Sequence, residues 1–223
     1  MKLIVFDIDG TLTDTNQVDG ISFLEAWKIA YKISDLSTIW SDYEHSTDSG
    51  ILEEVFTKRL GRQADEKDRR HFITTFVKIL RGYTFSKPDL FSEVPGAKQI
   101  LRQLKSSGFA VSIATGAWKE SGLLKLKTAG VWTEEIPFAS AEDAFSRADI
   151  LRTSIARASD FYQSPKFESV TYVGDGIWDW KASQEIGVKF IGRSDRGSLV
   201  GRIPSEILLL TDYLGKGSHH FHI

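Results

Sequence analysis

The residues whose types and spacing could do chemistry are acidic, and they fall in two short runs. Asp7-Ile8-Asp9-Gly10-Thr11 sets two carboxylates at alternate positions directly after the apolar run Leu3 to Phe6. In an extended chain alternate residues share a face, and the glycine lets the backbone turn sharply after them. Gly174-Asp175-Gly176-Ile177-Trp178-Asp179 follows a second apolar run, Ser169 to Val173, and also stands where a strand gives way to a helix. A single Asp-Gly step is ordinary turn chemistry. Two acidic clusters, each at the end of its own buried strand, can converge on one crevice at the carboxyl edge of a sheet, where open α/β sheets place their ligands. Oxygen donors gathered in this way suit Mg²⁺ with retained waters, and the lack of clustered His and Cys argues against Zn²⁺.

The elements that must position these residues are legible in the hydrophobic pattern. Short apolar runs recur at Leu3 to Phe6, Phe109 to Ala114, Ile136 to Ala139, Ser169 to Val173 and Val188 to Ile191. Amphipathic stretches lie between them, including Ala97 to Ser107, Ser121 to Ala129 and Ala148 to Ala158. That rhythm predicts an α/β fold, a Rossmann-like parallel sheet with helices on both faces. Between the first strand and the second the chain is far longer than one crossover helix needs. Ile21, Leu24, Trp27 and Tyr31 fall on one helical face, Leu52, Val55, Phe56 and Leu60 on another, and Phe72, Phe76, Leu80 and Tyr83 on a third. The expected organisation is an α/β core from 1–15 and 88–215, a small helical cap domain from 16–87, and a flexible tail at 216–223. Thr13 to Asn16 is the expected outgoing hinge, and Pro88, Pro95 and Gly96 punctuate the return.

Composition narrows the function classes. The 223-residue chain carries a net charge of -2 with no basic block, so binding to a nucleic-acid backbone is not expected. The absence of cysteine excludes a disulfide framework, a thiolate metal site and a Cys nucleophile, and suits a reducing cytoplasm. Leu3 to Phe6 is too short for a signal-peptide core or a membrane span, so no membrane association is expected. His219, His220 and His222 could form a metal-binding cluster, but the neighbouring glycines and the chain end favour a flexible tail.

With these residues in view, the sequence resembles the haloacid dehalogenase superfamily, specifically the phosphatase branch, phosphoglycolate phosphatase-like, with a helical cap inserted after the first strand. The resemblance spans the whole core. The first family motif, Asp-x-Asp-x-Thr, is met by Asp7, Asp9 and Thr11; the second, a Ser or Thr ending the next strand, by Thr115. The fourth, an acidic pair after a strand, is met by Asp175 and Asp179. The third motif is a cation, commonly Lys. Arg147 stands in its place, and its planar fork is not a geometric substitute for an ammonium.

The resemblance implies Mg²⁺-dependent hydrolysis of a small phosphorylated metabolite in the cytoplasm. Asp7 would be the nucleophile that forms an aspartyl-phosphate, and Asp9 the acid and base. Asp7, the backbone carbonyl of Asp9, Asp175 and Asp179 would hold the cation, Asp179 directly or through water. Thr115, the backbone N–H groups near Gly116 and Ala117, and Arg147 would stabilise the phosphoryl oxygens. Thr11 supports the turn. The segment Glu44 to Gly50, with His45, Thr47 and Asp48, is the expected substrate loop, although Thr47 or Asp48 could equally cap the helix that follows. Trp178 could wall the pocket or pack into the core, whereas Trp180 is expected to pack. Asp9 disfavours dehalogenation, since the family's dehalogenases lack it. A phosphonate-cleaving reading needs a cap lysine; Lys28 and Lys32 are more simply solvated helix residues. The alternatives that stay open are a β-phosphoglucomutase-like phosphomutase and a catalytically silent binding or regulatory protein of the same fold.

Overall fold

A computed structural model describes residues 1–131, 135–193, 199, 203–204 and 208–214. Its centre is β1 (Leu3–Phe6), with all four residues buried. Around it lie β4 (Ala110–Ala114), β5 (Phe138–Ala139), β6 (Val170–Gly174), β7 (Lys189–Arg193) and β8 (Leu209–Leu210). They form one parallel sheet in the order β5-β4-β1-β6-β7-β8. Parallel strands buried on both faces need largely apolar runs, and β1, β4 and β6 are mostly of that kind, whereas β7 begins on the exposed Lys189 and ends on Arg193. The register sets the site: Phe6 lies beside Ile113 on one flank and Val173 on the other. Asp7 comes one position after Phe6, and Thr115 and Asp175 two positions after its partners, so all three stand at the carboxyl edge of the sheet.

Alternation along β1 divides the core. Ile4 and Phe6 pack with α4 (Ala97–Ser106), through Ile100, Leu101 and Leu104, and with Leu126 of α5 (Lys119–Thr128). Leu3 and Val5 face α6 (Arg147–Phe161), through Ala148, Ile150, Leu151 and Ala158, and α7 (Ile177–Ile186), through Ala182. The expected strands and core helices fall within a few residues of those observed. The two-residue edge strand β8 is too short for any periodicity to show.

The long segment between β1 and β4 is helical. α1 (Asn16–Tyr31), α2 (Asp48–Leu60) and α3 (Glu66–Ser86) share an apolar cluster of their own. Where the chain leaves for these helices, β2 (Thr13–Asp14) pairs antiparallel with β3 (Ser92–Glu93) on the return. This two-stranded strap ties both crossings at the expected hinge. The expected face of α1 needs correction: the buried ridge is Val18, Phe23, Ala26 and Trp27, while Ile21 and Leu24 are only half-buried. The helix is rotated because Phe23 sits at an aromatic hub. Its ring centroid lies 5.3 Å from Phe72, 5.7 Å from Trp40, 5.9 Å from Phe76 and 6.2 Å from Trp118. Leu60, at the end of α2, is exposed. No described helix is long and apolar enough to cross a membrane. The histidine tail at 216–223 lies outside the described residues.

Trp118 begins α5 of the core yet belongs to the cap cluster, and it is 1% exposed. Large aromatic rings dominate the energetics of a core they fill. Trp118→Ala is therefore expected to lower the unfolding free energy by about 3–5 kcal/mol. Trp118→Phe, which keeps most of the packing but loses the indole N–H bond to Ser49 Oγ at 2.8 Å, is expected to cost about 1 kcal/mol. Urea titration decides; a loss below about 1 kcal/mol for the Ala variant would show that cap and core do not share this ring.

Candidate active site

The turn after β1 is closed by its own backbone: the N–H groups of Thr11, Leu12 and Thr13 all donate to the carbonyl of Ile8, and that of Gly10 to Thr13. Gly10 has φ +73°, and a Cβ there would stand 2.0 Å from Asp175 Oδ2. The glycine thus supplies both the left-handed turn and the room in which the second acidic cluster meets the first. Asp7, 3% exposed, is held from the opposite side by Arg147, whose Nη1 donates to Oδ1 at 3.0 Å.

Arg147 is the first residue of α6, where Ser146 caps the helix by accepting from the Asp149 N–H. Its side chain is only 10% exposed, so it is not a solvated residue at the start of the helix. Nη2 donates to the carbonyl of Ser46 at 3.1 Å, and Nε lies 3.5 Å from Asp179 Oδ1. The guanidinium passes over Gly116, where a Cβ would meet Nη2 at 2.4 Å. Asp179 is fully buried and accepts from the Tyr172 hydroxyl at 2.8 Å and from the Gly176 N–H at 3.0 Å. Asp175 accepts from Asn16 Nδ2 at 3.1 Å.

One oxygen from each of Asp7, Asp175 and Asp179 lies within 4.8 Å of the others. Crowding so many like charges shifts their titration. Desolvation first, then the charge of Asp179, raises Asp7 well above the usual carboxylate range. Desolvation and Asp179 push Asp175 up to about 7, and Asp179 is itself raised by burial against the opposing pull of Arg147. Burial pulls Arg147 down, but the surrounding carboxylates outweigh it and hold the guanidinium charged. Three carboxylates facing one guanidinium leave a negative excess, and the donors are all oxygen; that set fits a hard divalent cation. The Asp9 side chain is not part of it, because Thr15 Oγ1 holds Oδ1 at 2.6 Å and Lys125 Nζ holds Oδ2 at 2.5 Å.

A cavity opens above this floor. Asp7, Asp9, Thr115, Gly116, Ala117, Arg147 and Asp175 line its core side, and Asp19, Phe23, Trp40, Ser46, Thr47, Asp48 and Ile51 its cap side. Trp178 is in the wall as well, which settles its open alternative, while Trp180 packs against the core. The Ala117 N–H donates to Thr115 Oγ1 at 3.2 Å, so the loop after β4 is folded back on its own hydroxyl. Of the expected cap residues, Thr47 and Asp48 reach the cavity but His45 does not line it; its Cβ lies toward Gly50. Thr47 also caps α2, accepting from the Gly50 N–H, so both readings of that residue hold. Lys28 and Lys32 are exposed on α1, away from the cavity wall.

The cap is latched shut by polar contacts. The Asp48 N–H donates to the Gly116 carbonyl at 2.8 Å, and Asp48 Oδ2 accepts from the Trp118 N–H at 3.0 Å. Thr47 Oγ1 donates to the Phe145 carbonyl at 2.7 Å. Desolvation, followed by the charge of Asp19, raises Asp48 well above the usual carboxylate range. Sequence reasoning missed Asn16, Asp19, Thr15 and above all Lys125. The one signal for Lys125 was a lysine inside the apolar run Leu123-Leu124-Lys125-Leu126.

A sheet with this order, capped after its first strand and carrying acids at the carboxyl ends of β1 and β6, defines a class, and the sequence agrees with it. The chain belongs to the haloacid dehalogenase-like hydrolase family, whose model matches residues 4–193. No curated protein matches the sequence significantly. Among solved structures, CbbY from Rhodobacter sphaeroides in complex with phosphate aligns with a TM-score of 0.74 at 14% identity, covering 99% of each chain. β-Phosphoglucomutase from Clostridium difficile aligns with a TM-score of 0.66 at 15% identity, covering 98% of this chain and 94% of that one. A structure described as a predicted phosphoglycolate phosphatase from Haemophilus somnus 129pt aligns with a TM-score of 0.58 at 19% identity, covering 87% and 85%. At these identities the likeness is one of fold.

Raised carboxylates bind a cation only by giving up protons, so protons and cation compete for the site. Carboxyls raised in the folded state favour folding at low pH, and that contribution is lost as the pH rises from the ordinary carboxylate range through about 7 for Asp175. A divalent cation should restore it. The increase in Tm on adding Mg²⁺ is therefore expected to be larger at pH 8 than at pH 5, and to shrink strongly in Asp175→Asn. Equal shifts at the two pH values would mean that the cation binds elsewhere.

Proposed function

We propose that this chain hydrolyses a small-molecule phosphate monoester through an aspartyl-phosphate on Asp7, with Mg²⁺ as cofactor. The observation that carries the reading is the placement of the Asp7 carboxylate. It is buried, held by Arg147, flanked by Asp175 and Asp179, and set in the floor of a cavity that the cap closes. A dianionic phosphate is repelled by an anionic nucleophile; Mg²⁺ held by Asp7, the Asp9 carbonyl, Asp175 and Asp179 would cancel that repulsion.

An oxygen of Asp7 forms a bond to phosphorus as the bond to the leaving oxygen breaks, and Asp9 gives its proton to that oxygen. In the second half, water attacks phosphorus, Asp9 takes the water's proton, and the bond to Asp7 breaks. Arg147 spans Asp7 and the cap's Ser46 carbonyl, so its guanidinium lies where equatorial phosphoryl oxygens gather charge. Thr115, Gly116 and Ala117 line the same cavity and are the groups proposed to stabilise the remaining phosphoryl oxygens.

Hydrolysis is favoured over phosphoryl return to a second hydroxyl by what the cap side offers. Among the described residues lining the cavity, Arg147 is the one cation, and it is engaged with Asp7. A bisphosphate intermediate would need a further cation to grip its second phosphate. The cap side instead presents Asp19, Asp48 and aromatic rings, which suit an uncharged or amine-bearing leaving group better than a carboxylate or a second phosphate. The partner proposed is accordingly a small phosphorylated metabolite.

Asp7→Asn is expected to lower turnover of p-nitrophenyl phosphate with Mg²⁺ at least about a thousandfold while leaving the circular dichroism spectrum unchanged. Arg147→Ala is expected to cost about 10²–10³ in kcat, with Arg147→Lys falling between it and wild type. Hydrolysis in ¹⁸O-labelled water should place one label in the released phosphate. Wild-type rates in Asp7→Asn would end the covalent reading, and unlabelled phosphate alongside interconverted sugar phosphates would establish a mutase.

A further inference from the structure

Lys125 is completely buried on α5, where the other buried residues are Ser121, Gly122 and Leu126 and none carries a charge. Its Nζ lies 2.5 Å from Asp9 Oδ2 in the core and 2.7 Å from Asp19 Oδ1 on α1 of the cap. It stands behind Asp9 and outside the cavity wall, so it has no access to phosphate. Burying an ammonium is costly, and apolar residues of similar size could have filled the same space without that cost. What the ammonium adds is directional. With Thr15 on one oxygen of Asp9 and Lys125 on the other, the carboxylate has no rotational freedom. A carboxylate has about four lone-pair sites, so two accepted hydrogen bonds leave sites on the cavity side for a proton.

Both restraints come from outside the Asp7 to Gly10 turn. Thr15 lies between the strap and α1 and also bonds Thr13 Oγ1 at 2.6 Å, and Asp19 is one turn into α1. The second partner of Lys125 therefore travels with the cap, whereas Lys125 and Asp9 belong to the core. The geometry points to Lys125 as a positioning residue that aims the acid/base Asp9 at the leaving oxygen and ties that aim to cap closure through Asp19. This rests on the acid/base reading of Asp9 above. Asp9 can pass a proton to the leaving oxygen only when the Asp19 link holds the ammonium in place. With Asp19 carried away by an opening cap, the ammonium loses its second partner and the aim of Asp9 is lost.

The test uses single-turnover release of the alcohol from two esters with Mg²⁺ present. Phenyl phosphate needs proton donation to its leaving oxygen, whereas p-nitrophenyl phosphate largely does not. Asp9→Asn should slow the first far more than the second. Lys125→Met is expected to reproduce that pattern, with at least a tenfold loss on phenyl phosphate and less than about a threefold loss on p-nitrophenyl phosphate, in line with the contribution of general acid catalysis. Lys125→Arg should recover part of the loss. Because Lys125→Met leaves two carboxylates without their cation, Lys125→Met/Asp19→Leu replaces the buried pair by apolar groups and should show the same ester dependence. Equal losses on both esters, or no loss, in a folded variant would overturn the positioning role. If Asp9→Asn itself shows no ester dependence, the acid/base reading fails, and the role of Lys125 fails with it.

Discussion

The constraint on which the rest of the structure depends is electrostatic: Asp7, Asp175 and Asp179 share one poorly solvated crevice. Asp179 raises both Asp7 and Asp175, Asp175 raises Asp7, and burial raises all three. Such a cluster persists only if positive charge is brought to it. Arg147 is delivered by the first turn of α6 and reaches Asp7 and Asp179 at once. The remaining negative excess is what suits the crevice to a divalent cation. Behind Asp9 a second centre repeats the pattern in the opposite sense. There the burial that works against the ammonium of Lys125 is outweighed by Asp19, Asp9 and Asp48, which hold it charged.

These charges also explain how the cap is attached. Apolar packing joins cap and core at Trp118, but the contacts over the cavity are polar and come from functional residues. Arg147 bonds the Ser46 carbonyl, Asn16 bonds Asp175, and Asp48 bonds the turn between Gly116 and Trp118. Closing the cap and completing the site are thus the same event. The strap between β2 and β3 keeps both chain crossings close to Asp9.

A good part of this architecture was legible in the residues alone. β1, β4 and β6 are largely apolar runs because both faces of a parallel sheet are covered, and Asp7, Thr115 and Asp175 were readable as their carboxyl-terminal neighbours. The face of α1 was not. Periodicity favoured Ile21 and Leu24, yet the aromatic hub drew Phe23 inward, since the ring that meets Phe72, Phe76 and Trp118 outweighs two aliphatic side chains. His45 was equally readable as a cavity residue from its polar neighbourhood, and it lies aside because Thr47 begins the helix just beyond it.

The sequence by itself determined the sheet, the inserted helices and the two acidic turns, because each follows from local pattern: apolar runs, helical spacing, and glycine where the backbone must turn. Only the tertiary structure decided which charges meet. Arg147 reaches Asp7 across 140 positions of chain, and Lys125 reaches Asp9 across 116. Neither pairing leaves a trace in spacing, since a buried lysine and a solvated one are the same letter on a helix. What distinguishes them is the field of the carboxylates around them, and that field exists only once the strands stand side by side and the cap has closed over their ends.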